Sequence, residues 1–146
     1  MITVNNNVTD ELVMNAIKNN LAIIRFDMNR KVAYVNDLFA QTLDYTIEEL
    51  YEKSHEEFCF PAFAKSTEYE KFWRNLLSGK SFQDKVERMD ASGNRVWLEA
   101  TYMPVFAEGT RRKVIGVLKI ATDITNRQNS IEQVADDLKQ MSAGLM

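Results

Sequence analysis

Residues 82–106, FQDKVERMDASGNRVWLEATYMPVF, decide the fold. From Arg95 onward the side chains alternate. Val96, Leu98, Ala100 and Tyr102 fall on one face, and Trp97, Glu99, Thr101 and Met103 on the other, the period of a β-strand. Asp90-Ala91-Ser92-Gly93-Asn94 reads as a hairpin loop, with glycine where a positive φ is favoured. Ahead of it, Phe82, Val86 and Met89 are spaced among charges, the pattern of a half-exposed strand. Two antiparallel strands joined by a short turn are therefore expected here.

Working outward, Glu108-Gly109-Thr110 turns the chain into a further strand over residues 114–124. Upstream, residues 66–77 read as a helix capped by Ser66 or Thr67, with Tyr69, Phe72, Trp73, Leu76 and Leu77 as its apolar stripe and Ser78-Gly79-Lys80 as its stop. Residues 54–64 are less regular and hold His55, Cys59 and Pro61. Thr46 and Glu49 form a capping-box pattern, and Leu38, Phe39, Thr42 and Leu43 recur at helical spacing. A hairpin of residues 21–27 and 32–35 turns at Met28-Asn29-Arg30-Lys31, and Thr9-Asp10-Glu11 opens a short N-terminal helix. The sum is an α+β domain. It has one five-stranded antiparallel sheet with helices over one face, an N-terminal helix and a C-terminal helix.

The composition narrows the class. A chain of 146 residues with 45% hydrophobic residues has material for one buried core. Its net charge of −3 leaves no basic surplus for a phosphate backbone, so nucleic acid is not an expected partner. Arg111-Arg112-Lys113 is read as a solvated hairpin shoulder. A single cysteine, no visible signal peptide and no apolar run long enough to span a bilayer lead us to expect a reducing, cytoplasmic setting.

After residue 124 the apolar period becomes seven. Ile124, Ile131, Leu138 and Leu145 form one series and Val134 and Met141 the other, interrupted by Arg127. This narrow stripe predicts a coiled-coil helix through which two copies pair, with the seam at Ile131, Val134, Leu138 and Met141. The alternative is a helix folded back on the sheet. Because the pattern still runs at Met146, a continuation into a further domain is expected.

Four motifs, in order, resemble the PAS sensor family. Tyr34-Val35-Asn36-Asp37-Leu38-Phe39 looks like its second-strand exit, and Asp44-Tyr45-Thr46-Ile47-Glu48-Glu49-Leu50 like its G-Y-[ST]-xx-E-L helix start, with Asp44 in place of the usual glycine. Residues 88–98 are similar to its R-x-D-G-x-x-W-[LIV] hairpin, and Asp123-Ile124-Thr125 to its D-[IV]-T boundary before a signalling helix. The stretches at residues 55–61 and 70–73 look like the subgroup attached to bacterial chemoreceptors of the aerotaxis and energy-taxis type. The resemblance implies a cap helix over residues 1–20, a PAS sensor domain over 21–125 and a signalling helix over 126–146. It also implies a downstream signalling domain, signal relay through Asp123, Ile124 and Thr125, and a small-molecule ligand or redox cofactor. FAD comes first among cofactors and haem second.

Cofactor-binding candidates are Asn36, His55, Trp73 and Trp97. In flavin-holding relatives the matching asparagine can face the ring, whereas an asparagine at a helix entrance is also an ordinary N-cap. His55 is the sole imidazole available to haem iron or a flavin, and its ordinary role would be at a surface or turn. Trp73 could stack on a flat ring or pack in the core. Trp97 either lines the space between sheet and helices, the reading preferred here, or covers the outer sheet face. Cys59 lacks the Arg-Phe-Leu-Gln run of light-sensing relatives and reads as a buried structural thiol. No phosphate loop, metal-ligand cluster or nucleophile–histidine pair is visible, so an enzyme is not expected.

Overall fold

A computed structural model describes residues 7–110 and 112–144. Leu145, expected on the seam, and Arg111 of the basic cluster lie outside the described residues. In chain order the elements are α1 (Asp10–Asn20), β1 (Ala22–Phe26), β2 (Val32–Val35), α2 (Asp37–Thr42), α3 (Ile47–Leu50), a 3₁₀ turn (His55–Phe58), α4 (Pro61–Ala64), α5 (Thr67–Leu77), β3 (Phe82–Met89), β4 (Arg95–Phe106), β5 (Val114–Asp123) and α6 (Thr125–Gly144).

The central hairpin forms where its turn chemistry directs. The Asp90 carboxylate accepts from the Ser92 and Asn94 amides at 2.9 and 2.8 Å, and Gly93 takes φ +84°. Strands β3 and β4 then pair from Phe82↔Tyr102 to Met89↔Arg95. The sheet order is β2-β1-β5-β4-β3, with antiparallel neighbours throughout. One cross-strand row runs Val35, Ile24, Lys119, Tyr102, Phe82, so that a lysine occupies the middle of the helix-covered face.

Helices α2 to α5 close that face. Thr46 and Glu49 form the expected capping box, and Ser66 accepts from the Tyr69 amide to start α5. The stripe of α5 then buries Tyr69, Phe72, Trp73 and Leu76 against Phe26, Leu98, Ala100 and Tyr102. Each such side chain contributes about 1.5–3 kcal/mol through burial. The bidentate pair from Arg30 to Glu70, at 3.0 and 2.8 Å, ties the β1–β2 turn to α5.

Helix α6 stays off the sheet beyond its first turns. Arg127 pairs with Glu99 at 3.5 Å and Glu132 with Arg95 at 2.9 Å, while residues 129–144 are exposed throughout. The alternative of a helix folded back on the sheet is therefore not what forms. Ile131, Val134, Leu138 and Met141 are 51–64% exposed, an apolar series left uncovered by the described residues.

Asp44, the departure from the family's glycine, adopts φ +60°. Aspartate tolerates this left-handed region, whereas a β-branched residue does not. Asp44→Val should therefore lose about 1–2 kcal/mol in urea unfolding, and Asp44→Gly should lose nothing. Equal losses in both would show that the side chain, and not the backbone, matters there.

Candidate functional site

The segment after α3 is carried inward by two local devices. Ser54 bridges Lys31 on the β2 side, and its amide donates to the Glu57 carboxylate at 2.7 Å. The His55 amide donates to the Arg30 carbonyl at 2.8 Å. These bonds turn the His55 side chain into the core, where it is fully buried.

The imidazole joins the two layers. Its Nδ1 lies 3.0 Å from the Tyr69 hydroxyl on α5 and its Nε2 2.9 Å from the Tyr102 hydroxyl on β4. Arg88 Nη2 donates to the Tyr102 oxygen at 3.1 Å, leaving the Tyr102 proton for Nε2. The tautomer expected from this arrangement carries the imidazole proton on Nδ1 and donates it to Tyr69. Phe26, Tyr69, Phe72, Trp73 and Tyr102 surround the ring within 6 Å. The Cys59 thiol, also buried, lies 3.6 Å from the His55 carbonyl, and burial pushes its pKa up.

Positive charge gathers around this ring. Arg88 and Lys119 are both buried, and Lys119 Nζ lies 4.8 Å from the centre of the Tyr102 ring. Burial, reinforced by Arg88, Lys119 and Arg30, holds the His55 pKa well below its usual value. Burial and then Arg88 depress Lys119 in the same way. Burial raises the Tyr102 hydroxyl to about 12, so it remains a neutral donor.

The four expected cofactor contacts do not surround a common space. Asn36 spends its whole amide on backbone. Oδ1 accepts from Ile23 and Phe39, and Nδ2 donates to the Lys18 and Leu21 carbonyls at 2.9 and 2.7 Å. It caps α2 and fastens the end of α1. Trp73 is core, edge-on to Phe26 and His55, and its indole N–H has no partner among the described residues. For Trp97 the preferred expectation is corrected. Its register opposite Glu87 puts it on the outer sheet face, under the Arg95 guanidinium, because strand alternation gives the inner face to Val96 and Leu98.

A haem does not fit His55, since both ring nitrogens are already hydrogen-bonded and neither lone pair faces an open space. A flavin ring does not fit against His55 and Trp73 either, because Tyr69, Phe72 and Tyr102 already pack around the imidazole, and Asn36 has no amide group left for it. Open space begins instead at the sheet edge. A cleft of about 500 Å³ runs around β3, walled by Phe60, Phe63, Phe72 and Phe82 and bordered by Arg88 and Trp97. Among the described residues, no group of three or more His, Cys, Asp or Glu is placed to hold a metal. None of their helices is long and apolar enough to cross a membrane.

Sequence reading passed over Arg88, as one letter of a hairpin motif, and Lys119 entirely. The available signal was phase: Arg88 follows Val86, and Lys119 lies between Val117 and Ala121, at inward positions of their strands.

A native state in which burial depresses the pKa of both His55 and Lys119 binds fewer protons than the unfolded chain. Stability should therefore rise with pH wherever the unfolded groups are still protonated. It should fall by about 1.4 kcal/mol per unit as pH drops below the unfolded histidine value of about 6.5, from His55 alone. Lys119→Met should add about 1 kcal/mol or more near neutrality and flatten the remaining rise towards alkaline pH, as read by urea unfolding. Destabilisation by Lys119→Met would contradict a neutral buried amine.

The family model PAS_4, described as PAS fold, matches residues 16–129. Biofilm dispersion protein BdlA of Pseudomonas aeruginosa is 34% identical over 128 residues, which cover 87% of this chain and 30% of that protein. The Aerotaxis receptor of Escherichia coli is 27% identical over 118 residues, 81% of this chain and 22% of the receptor. The chain thus spans less than a third of the length of either relative. A solved Light-Oxygen-Voltage domain studied with a flavin analogue superposes with a TM-score of 0.66 at 12% identity, over 89% of this chain and 97% of that one. That last likeness is one of fold alone. With the family model spanning most of its length, this chain belongs to the PAS fold family.

Proposed function

We propose that this chain is the cytoplasmic sensory input domain of a chemotaxis-type signalling protein, without turnover of its own. A small ligand or redox cofactor acts on the helix-covered side of the sheet. The change passes through Asp123, Ile124 and Thr125 to a homodimeric α6 and on to a downstream signalling domain.

The observation that carries this reading is the joint at the end of β5. The Ile124 amide donates to the Trp97 carbonyl at 2.9 Å, and the Trp97 amide donates to Thr125 Oγ1 at 3.0 Å. Asp123 Oδ1 accepts from the Thr125 amide at 2.8 Å, an Asx turn that leads into α6. The start of α6 is thereby fastened to β4, the strand that carries Tyr102 to His55. A displacement of β4 moves the helix with it, and a helix pair with two arrangements can transmit that movement. The relatives, one of them a receptor by name, support the sensory reading.

The filled interior favours a second reading, a ligand-free dimerisation module. The finer reading, in which FAD or after it haem occupies the core, requires the rings packed around His55 to move apart, and the relatives alone support it. A visible absorbance spectrum of freshly purified protein decides between these. Flavin or haem bands would overturn the filled interior, and a blank spectrum supports it. For the helix, sedimentation should show a dimer that Leu138→Asp converts to monomer. A dimer that survives Leu138→Asp would mean that the sheet, and not α6, holds the subunits.

A further inference from the structure

We propose that the cleft at the β3 edge binds a small aromatic carboxylate, with Arg88 as its anchor. This deepens the sensory reading by naming a ligand class, but the binding itself stands or falls without the dimer.

Arg88 is the unusual group. It sits on the inward phase of β3, opposite Val96, and is almost wholly buried. A buried guanidinium normally faces a carboxylate, because removing the ion from water costs several kcal/mol unless a counter-charge repays it. Here Nη1 donates to the neighbouring Glu87 carbonyl at 2.7 Å and Nη2 to the Tyr102 hydroxyl at 3.1 Å. Nε has no partner, and no described carboxylate lies within ion-pair distance of Arg88. The Trp97 indole N–H is also unpartnered, but it lies on the outer face of the sheet at the rim of the cleft, away from the guanidinium. A buried guanidinium with an unpartnered N–H and no counter-charge, on the wall of a cleft, calls for an acceptor that the described residues do not supply.

The walls specify the rest of the ligand. Phe63 lies 5.6 Å from the guanidinium carbon, and Phe72 meets Phe82 edge-on at 5.0 Å, so the space beyond Arg88 is lined with ring faces and edges. Such walls suit a flat apolar body. The volume of about 500 Å³ lies inside the range of about 300–1,000 Å³ typical of small-molecule sites. The acids on the lining, Glu68 and Glu87, are respectively exposed and on the outer phase of β3, and Lys85 stands near them. The inner end therefore keeps an uncompensated positive charge. A planar carboxylate matches a guanidinium in geometry as well as in sign.

Titration of the chain with benzoate, followed by calorimetry and by amide and indole N–H shifts, tests this. Saturable binding is expected, with the largest shifts at Phe82, Arg88 and the Trp97 indole. The neutral isostere benzamide and the variant Arg88→Met should each weaken binding at least about tenfold, since a hydrogen bond to a charged group is worth about 1.5–3 kcal/mol. Val86→Trp, which fills the cleft and leaves Arg88 in place, should abolish it. No saturable benzoate binding, equal binding of benzamide, retained affinity in Arg88→Met, or shifts clustered elsewhere would each overturn the proposal. Should Arg88→Met fail to fold, the benzoate–benzamide comparison and Val86→Trp decide it. The oligomeric state of α6 reads out separately, so a ligand-free chain that still dimerises through Leu138 would sink this inference alone.

Discussion

The domain is closed by a neutral imidazole. His55 spans the gap between α5 and β4 with one hydrogen bond to Tyr69 and one to Tyr102, inside a core whose other buried basic groups are Arg88 and Lys119. A charged imidazole there would add positive charge beside the Arg88 guanidinium, with no carboxylate among the described residues paired to either, at a cost the two hydroxyls could not offset. Neutrality also gives the ring its one donor and one acceptor, which the two tyrosines use. The helical layer is thus held to the sheet by polar contacts as well as by apolar burial. Both hydroxyls lose partners if the ring leaves.

That bridge lies on the strand which meets the outgoing helix. Tyr102 and Trp97 are separated by five positions on β4, the first bonded to His55 and the second to the Ile124–Thr125 joint. Under the proposed function, an event at Arg88 or Tyr102 needs to travel only along one hydrogen-bonded strand to reach α6. The cleft, the bridge and the joint share β4 or its partner β3, which gives coupling a physical route without any large rearrangement.

Much of the fold was legible because its signals are local. Asp90 and Gly93 turn the hairpin, Thr46 with Glu49 and Ser66 start helices, and alternation from Val96 to Tyr102 assigns the inner face. The site was less legible because its geometry depends on phase and on partners far apart in sequence. Asn36 reads equally as ligand contact or cap until Lys18 and Leu21 are seen to take its amide. Flanked by Ser54 and Glu56, His55 carries no local sign of burial, since Tyr69 and Tyr102 arrive from 14 and 47 residues away. Trp97 was misread by likeness where its own alternation with Val96 and Leu98 pointed outward. The charges of Arg88 and Lys119 hid their inward phase, because strand patterns are usually read through apolar residues alone.

The bridge between helices and sheet depends on the protonation state of one ring, and the nitrogen and carbon shifts of the His55 imidazole followed through a pH titration report it directly. The imidazole should stay neutral, with its proton on Nδ1, through and well below the ordinary histidine value of about 6.5, until the domain unfolds. A reversible titration of the folded domain near about 6.5, or a proton found on Nε2, would contradict the bridge as described.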